Sequence, residues 1–182
     1  METTNTNWHI RCQDMLNHQI NLEYWASYQY HLIWSYFSKD SVGLPKLAEY
    51  FKVNSIEERD HAHKFMEYQN MRGGDVKLTT IPEVSLGYMV CTTENDIISS
   101  FRKALDMEQR VYDSLLNLHK IGDECNDPQF CDFIEGEYLV EQVDALYFIK
   151  KTIAQLERIG ENGHGLWEFD RLFVNESSNL NQ

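Results

Sequence analysis

The chain has 182 residues, a hydrophobic fraction of 42% and a net charge of −13. This length allows a sizeable core, and the negative charge argues against a nucleic acid partner because phosphate groups would be repelled. No apolar run of about 18 residues occurs, so no membrane partner is expected. We predict one domain over residues 1–182, with flexible tails at residues 1–7 and 175–182.

The cysteines and the N-terminal residues bear on the cellular compartment. The cysteines, which match no zinc-binding spacing, are Cys12, Cys91, Cys125 and Cys131. A chain of this size does not depend on disulfides, so we interpret them as reduced thiols. The first seven residues are polar and lack the apolar segment of a signal peptide. The sequence therefore predicts a cytoplasmic protein.

Two long helices are predicted at the start of the chain. The first extends from about Trp8 to Phe37, and the second from Pro45 to about Met71, before two glycines. Because their connection is short, we expect antiparallel neighbours. Residues 75–93 show no helical period. An extended connection of this length can span a bundle, so the next helix is expected to begin at the far end.

Two further long helices and one short helix complete the prediction. The third extends from a capping segment at residues 93–96 to Ile121, where the following glycine would end it. The fourth extends from Pro128 to Ile159. Leu166–Val174 predicts a short amphipathic helix that must dock on another element to be stable. The sequence thus predicts an all-α fold, a four-helix bundle with one long crossover and a short fifth C-terminal helix.

Each long helix carries polar residues within its apolar stripe. They are Glu23, Glu58 with His61, Glu108 and Gln142. Taken singly, each could lie at the edge of a stripe or form an ordinary buried hydrogen bond. All lie near the middle of their helices, however, and the midpoints of bundled helices meet at one level. We therefore expect them to converge on a common site.

Buried carboxylates at such a site need compensating positive charge. Without it, burial would raise their pKa values or disrupt the packing. Two divalent cations would supply the charge, with one carboxylate bridging both. Ligands rich in oxygen with one imidazole favour iron or manganese over a structural zinc.

The two cations would be bound unequally. Glu58 and His61 form a Glu-x-x-His motif, whereas the fourth helix has Gln142 and Ala145 at the corresponding spacing. The first cation would be bound by Glu58, His61 and Glu23. The candidates at the second cation are Glu58, Glu108, Glu57 and Gln142. A weakly held second cation indicates a site through which metal passes.

Five segments resemble eukaryotic ferritins of the heavy-chain, ferroxidase-active type. They are INLEYWASYQY (20–30), EERDHAHKFMEYQNMRGG (57–74), LLNLHK (115–120), DPQFCDFIE (127–135) and YLVEQV (138–143). The resemblance extends over about Gln19 to Arg171. The positions that match the family's ferroxidase centre are Glu23, Glu58, His61, Glu108 and Gln142, with Tyr30 beside them.

The resemblance implies a hollow cage of 24 subunits, which could include other ferritin subunits. Fe(II) and O2 would be the substrates of a di-iron centre that needs no organic cofactor, and the product would be stored as ferric mineral. Iron would enter through channels on the three-fold axes, where Asp132 and Glu135 match acidic positions, with Cys131 and His119 nearby. From the residues alone, both acids could equally belong to a solvated helix N-terminus.

Some positions depart from the family pattern. Asp60 and His63 stand where glutamates of the inner surface would promote mineral nucleation, so nucleation could be slower or occur elsewhere. Asp170 falls near a usually apolar position of the four-fold channel, which leaves the character of that pore open. Two alternatives also remain: a structural, iron-binding cage subunit with weak ferroxidase activity, and a di-iron oxidoreductase that forms no cage.

Overall fold

Helices account for most of the chain in this computed structural model, which describes residues 8–83, 95–160 and 163–173. The helical segments are α1 (Ile10–Phe37), α2 (Pro45–Met71), α3 (Asp96–Glu124), α4 (Pro128–Ile134), a π-helical turn (Glu135–Leu139), α5 (Val140–Ile159) and α6 (Gly163–Leu172). The segments α4, the π turn and α5 follow one another without a break and form the fourth long helix. The predicted all-α bundle with a short C-terminal helix is confirmed.

The first two helices lie antiparallel, as their side-chain contacts show. At one end, Trp8 Nε1 donates a hydrogen bond to Gln69 Oε1 at 2.9 Å. At the other end, the rings of Phe37 and Phe51 stack with their centroids 5.5 Å apart. Low residue numbers of α1 therefore meet high residue numbers of α2, as expected for a short connection.

The connection after α2 lies along α1 and is held to it by hydrogen bonds. The side chain of Asn17 accepts a hydrogen bond from the backbone nitrogen of Lys77 at 2.7 Å. One turn further along α1, Asn21 accepts from the backbone nitrogen of Thr79, also at 2.7 Å. This part of the connection therefore travels toward the C-terminal end of α1. Residues 84–94 of the predicted crossover lie outside the described residues.

The third helix begins at the far end of the bundle. Near its N-terminus, Asp96 Oδ2 accepts a hydrogen bond from the hydroxyl of Tyr36, close to the end of α1. Near its C-terminus, Glu124 forms an ion pair with Arg11 at the start of α1, with 2.6 Å between the charged atoms. The two helices are antiparallel, and the one long crossover is confirmed. None of the described helices is long and apolar enough to cross a membrane.

Gly122 does not end the third helix, contrary to the prediction. The helix continues to Glu124, and Gly122 is buried within it. A Cβ atom at this position would lie 3.0 Å from the ring of Phe130 and 3.1 Å from the sulfur of Cys131. The glycine therefore allows α4 to approach α3 closely.

The π-helical turn in the fourth helix was not predicted. A π turn advances the register of a helix relative to an unbroken α-helix. The predicted stripe assumed an unbroken α-helix and placed Cys131 and Ala145 on the core face. Both residues are only partly buried. Phe130 and Leu146 are buried instead. Gln142 remains on the buried face as predicted.

The short helix α6 docks on its own bundle and begins three residues earlier than predicted; the predicted end, Val174, lies outside the described residues. Its Asp170 is only 5% exposed. The Asp170 carboxylate accepts a hydrogen bond from the backbone nitrogen of Leu47 at 2.9 Å. The residue preceding α2, Leu44, provides no side-chain cap. Asp170 therefore caps α2 from a distant part of the sequence.

Candidate metal centre

Three predicted ligands meet between α1 and α2. The ligand atoms of Glu23, Glu58 and His61 lie within 4.8 Å of one another, and we call these residues the ligand triad. Glu58 and His61 are three residues apart and therefore share one face of α2. Close to this level, Ser27 of α1 donates a hydrogen bond to the carbonyl of Ser55 at 2.6 Å, which fixes the two helices to each other.

The triad presents buried oxygen atoms that lack hydrogen-bond donors. Glu23 is 1% exposed and Glu58 is 5% exposed. Among the described residues, no partner reaches Oε2 of either carboxylate. The other oxygen of Glu23 accepts a hydrogen bond from Gln19 Nε2 at 2.7 Å. A buried, unsatisfied polar atom is costly, so two of them facing one space indicate a site for a cation.

Glu108 lies on the opposite side of the centre and is fully hydrogen-bonded. Its Oε1 accepts from the hydroxyl of Tyr30 at 2.5 Å. Its Oε2 accepts from Gln142 Nε2, which also donates to the backbone carbonyl of Glu108 at 3.1 Å. We call Glu108, Tyr30 and Gln142 the bonded side. The structure thus brings all the predicted central residues together, but in two groups with different hydrogen bonding.

His61 lies close to Glu141, a residue that the sequence prediction missed. Its Nδ1 lies 3.9 Å from Glu58 Oε2, and its Nε2 lies 3.4 Å from Oε1 of Glu141. Glu141 itself is exposed, as expected for a neighbour of the buried Gln142. The acid is visible in the sequence, but its approach to His61 depends on how α2 packs against the fourth helix.

Glu57 occupies a different place from the triad. It is partly buried. Burial raises its pKa, and the nearby charge of Glu141 raises it further. Glu57 therefore lies beside the acid that contacts His61, and it is not part of the close group of three ligands.

The charges of the triad favour bound protons when no cation is present. Burial raises the pKa of Glu23 well above its usual range, and the charge of Glu58 raises it further. Burial also raises the pKa of Glu58. For His61, burial lowers the pKa, but the nearby carboxylates of Glu141 and Glu58 outweigh this effect and leave the pKa well above its usual value. A cation entering the site would therefore displace protons.

On the bonded side, burial and hydrogen bonds have opposite effects on the pKa of Glu108. Burial raises the pKa of Glu108, while the hydrogen bonds from Tyr30 and Gln142 oppose this rise. Burial and the charge of Glu108 raise the pKa of Tyr30 well above its usual value. Tyr30 therefore keeps its proton and remains a hydrogen-bond donor to Glu108.

The predicted channel acids lie apart from this centre. Asp132 and Glu135 are exposed, on α4 and at the start of the π turn. Glu135 Oε1 lies 2.6 Å from Nε2 of His119. The two positions that depart from the family pattern, Asp60 and His63, are exposed on α2, with 4.0 Å between their closest charged atoms.

Comparison with known proteins assigns the family. Residues 13–159 match the ferritin-like domain. The chain is 45% identical over 167 residues to "Ferritin-1, chloroplastic" of Nicotiana tabacum, which covers 92% of this chain and 66% of that protein. It is 46% identical over 165 residues to "Ferritin-3, chloroplastic" of Glycine max, covering 91% and 64%. The chain thus spans slightly less than two thirds of the length of these relatives.

The relatives also correct the predicted location. Their names place them in the chloroplast, which contradicts the cytoplasmic location predicted from the N-terminal residues. The absence of an apolar segment there bears on secretion, whereas transit peptides for chloroplasts are amphipathic and not strongly apolar. The helical bundle, the matched domain and the identities agree on the family. The chain belongs to the ferritin family.

Proposed function

We propose that this chain is a ferritin subunit of the heavy-chain type, which oxidises Fe(II) with O2 inside its helix bundle and stores the product as ferric mineral. The observation that carries the proposal is the pair of buried oxygens, Glu23 Oε2 and Glu58 Oε2, without hydrogen-bond donors beside His61. A cation between them would offset both charges. Two carboxylates and one imidazole suit Fe(II), the substrate expected for this family.

The ligand triad would bind the first Fe(II). Glu23 and His61 would each bind this ion, and Glu58 would bridge it to a second one. The proposal is supported by the 4.8 Å limit on the spacing of the three ligand atoms, which is small enough for one ion to contact all of them. Binding releases the protons that the raised pKa values favour on Glu23, Glu58 and His61.

The second Fe(II) would bind more weakly, between Glu58 and the bonded side. Glu108 would have to exchange a hydrogen bond from Tyr30 or Gln142 for the metal. This exchange supports a site that iron occupies briefly. Glu57, partly buried beside Glu141, would be an additional ligand for iron that leaves the centre.

The overall reaction balances with two irons. Each Fe(II) gives up one electron, and one O2 takes up both electrons with two protons to form hydrogen peroxide. The protein's part is to hold two irons close together, to exclude other reductants by burial and to accept or release protons at Glu23 and His61.

We further propose that the chain assembles into a cage of 24 subunits with acidic channels. Asp132 and Glu135 would line the three-fold channels and attract Fe(II). Support comes from their exposure, since both remain open on the surface of the single chain, and from their spacing of about one helical turn.

The test compares O2-dependent Fe(II) oxidation in the wild type and in the double variant Glu58→Ala, His61→Ala. We expect the initial rate to fall by at least about 10–100-fold, since even residues that only support a metal ligand have effects of this size. His63→Ala is a matched control, because it removes an exposed histidine from the same helix. We expect it to oxidise Fe(II) at nearly the wild-type rate.

Two outcomes would favour the alternatives. Equal rates in the wild type and the double variant, with iron retained in large particles, would identify a structural cage subunit. A native mass near that of a monomer or dimer would favour a di-iron oxidoreductase that forms no cage.

A further inference from the structure

Two cysteines outside the metal centre meet where α1 begins and α3 ends. Cys12 lies in the first turn of α1, and Cys125 is the C-terminal cap of α3. Both contact the same backbone carbonyl: Ile121 O lies 4.0 Å from the sulfur of Cys12 and 3.0 Å from the backbone nitrogen of Cys125. The neighbouring Cys125 side chain also raises the pKa of the Cys12 thiol, after the larger effect of burial.

Ion pairs hold this meeting point from two sides. Arg11 and Glu124, the residues immediately before the two cysteines, approach to 2.6 Å. Two residues after Cys125, Asp127 pairs with Arg72 at 2.5 Å, and both of these side chains are nearly buried. The first pair is exposed, but the second ties the turn between α3 and α4 to the end of α2. The surrounding fold therefore keeps Cys12 and Cys125 beside the same carbonyl, that of Ile121.

The thiols differ in access to solvent. Cys12 is fully buried, whereas Cys125 is partly exposed. Burial raises the pKa of Cys12 to about 12, so it remains protonated at neutral pH. A small oxidant from solvent would therefore reach Cys125 first, and Cys12 is placed to react with the product.

Cys131 provides a contrast within the same region. Its sulfur contacts the carbonyl of His119 at 3.6 Å. Burial raises its pKa, and the charges of Asp123 and Glu135 raise it further. Among the cysteines of the described residues, Cys12 and Cys125 are the two that approach the Ile121 carbonyl.

We propose that Cys12 and Cys125 form a peroxide-sensitive pair that closes to an intrachain disulfide. Hydrogen peroxide would oxidise the Cys125 thiol to a sulfenic acid and release one water. The Cys12 sulfur would then attack the sulfur of Cys125, forming the S–S bond and releasing the hydroxyl group with the Cys12 proton as a second water. Two thiols are oxidised and one peroxide is reduced.

The disulfide would connect the start of α1 to the turn that precedes α4. It would close a loop of over a hundred residues, and crosslinks of long loops restrict the unfolded chain most strongly. Oxidation should therefore raise the thermal midpoint of unfolding. The effect is independent of iron oxidation, because neither cysteine belongs to the metal centre.

The test treats the assembled, iron-free protein with hydrogen peroxide and maps its disulfides by mass spectrometry. Trypsin leaves Cys125 and Cys131 in one peptide, because no lysine or arginine lies between residues 121 and 149. A second digestion on the amino side of aspartates cleaves at Asp127 and separates them. We expect a Cys12–Cys125 crosslink without the two thiol hydrogens, and a rise in the thermal midpoint that a reductant reverses.

Matched variants separate this pair from other thiol chemistry. Cys131→Ser should keep both the crosslink and the rise in thermal midpoint, whereas Cys125→Ser should lose both. Since Cys125 is a partly exposed cap, Cys125→Ser is expected to fold. The proposal would be overturned if Cys125 were converted to sulfinic acid, if it paired with Cys91, Cys131 or another chain, or if peroxide left both thiols reduced.

Discussion

The two sides of the metal centre bury the same kind of group in different states. On the ligand triad, Glu23 and Glu58 each keep one oxygen without a donor. On the bonded side, Glu108 has a donor for each of its oxygens, from Tyr30 and Gln142. Burial raises the pKa of all three acids, so the difference between the sides is in hydrogen bonding and not in solvent exposure.

This difference indicates how unequal metal affinity can arise within one bundle. A cation at the triad gains two oxygens that had no other partner, so little must be broken to bind it. A cation at the bonded side must displace an existing hydrogen bond. Binding a cation at the triad would therefore cost less free energy than binding one at the bonded side.

The largest expected effect tests this inequality directly. Glu23→Gln should weaken binding of the first divalent cation by about 10–100-fold, because a carboxylate ligand is lost. Glu108→Gln should leave the first binding event near the wild-type affinity and weaken the second. Anaerobic titration of the iron-free protein with Fe(II), followed by calorimetry, resolves the two events. Equal losses of the first event in both variants would contradict the comparison.

The next effect concerns the stability of the metal-free protein. Glu23→Gln should increase the free energy of unfolding by about 1–3 kcal/mol at a pH where Glu23 is ionised, because the amide can donate to the neighbouring Glu58 and removes an unsatisfied charge. The folded-state pKa of Glu23 is raised. Its favourable contribution is therefore complete below the unfolded pKa of about 4.3 and is lost as the pH rises through the folded value.

The expected pH dependence follows from that sign. The wild type should lose stability relative to Glu23→Gln as the pH rises above the unfolded pKa of about 4.3 toward the raised folded value, and the two should converge at the acidic end. Denaturant unfolding at several pH values measures the difference. A Glu23→Gln protein that is less stable at neutral pH would show that the triad needs no cation to balance it.

Much of this centre was predictable because it depends on local spacing. Glu58 and His61 share a helix face through their three-residue separation, and the mid-helix positions of Glu23 and Glu108 require only approximate helix boundaries. The contact of Glu141 with His61 was not predictable, because it depends on how α2 packs against the fourth helix and not on spacing within one helix.

Gly122 and Asp170 show a second limit of prediction from the sequence. Gly122 has the same sequence signature whether it ends a helix or allows another helix to pack closely. Only the position of Phe130 against it distinguishes the two. Likewise, Asp170 in an amphipathic helix reads as a surface acid, because its partner, the nitrogen of Leu47, is more than a hundred residues away.

Asp170 provides a buried acid with a structural role, against which Glu23 can be compared. Asp170→Ala should lower the free energy of unfolding by about 0.5–2 kcal/mol, because the first turn of α2 loses its cap. Glu168→Ala, which removes an exposed ion pair on the same helix, should have a smaller effect. Opposite signs for Asp170→Ala and Glu23→Gln in the same unfolding assay would support the comparison, whereas a stabilising Asp170→Ala would contradict it.

The smallest expected effect probes the bonded side itself. Tyr30→Phe removes the donor to Glu108 Oε1, and we expect a loss of about 0.5–1.5 kcal/mol in the stability of the metal-free protein. The same change leaves one Glu108 oxygen unsatisfied, as in the triad, so the second cation no longer has to displace a hydrogen bond there. The second event of the anaerobic titration should therefore become tighter while the first is unchanged. A weaker second event would mean that Tyr30 orients Glu108 toward the metal, and the inequality of the two sides would then have to arise from Gln142.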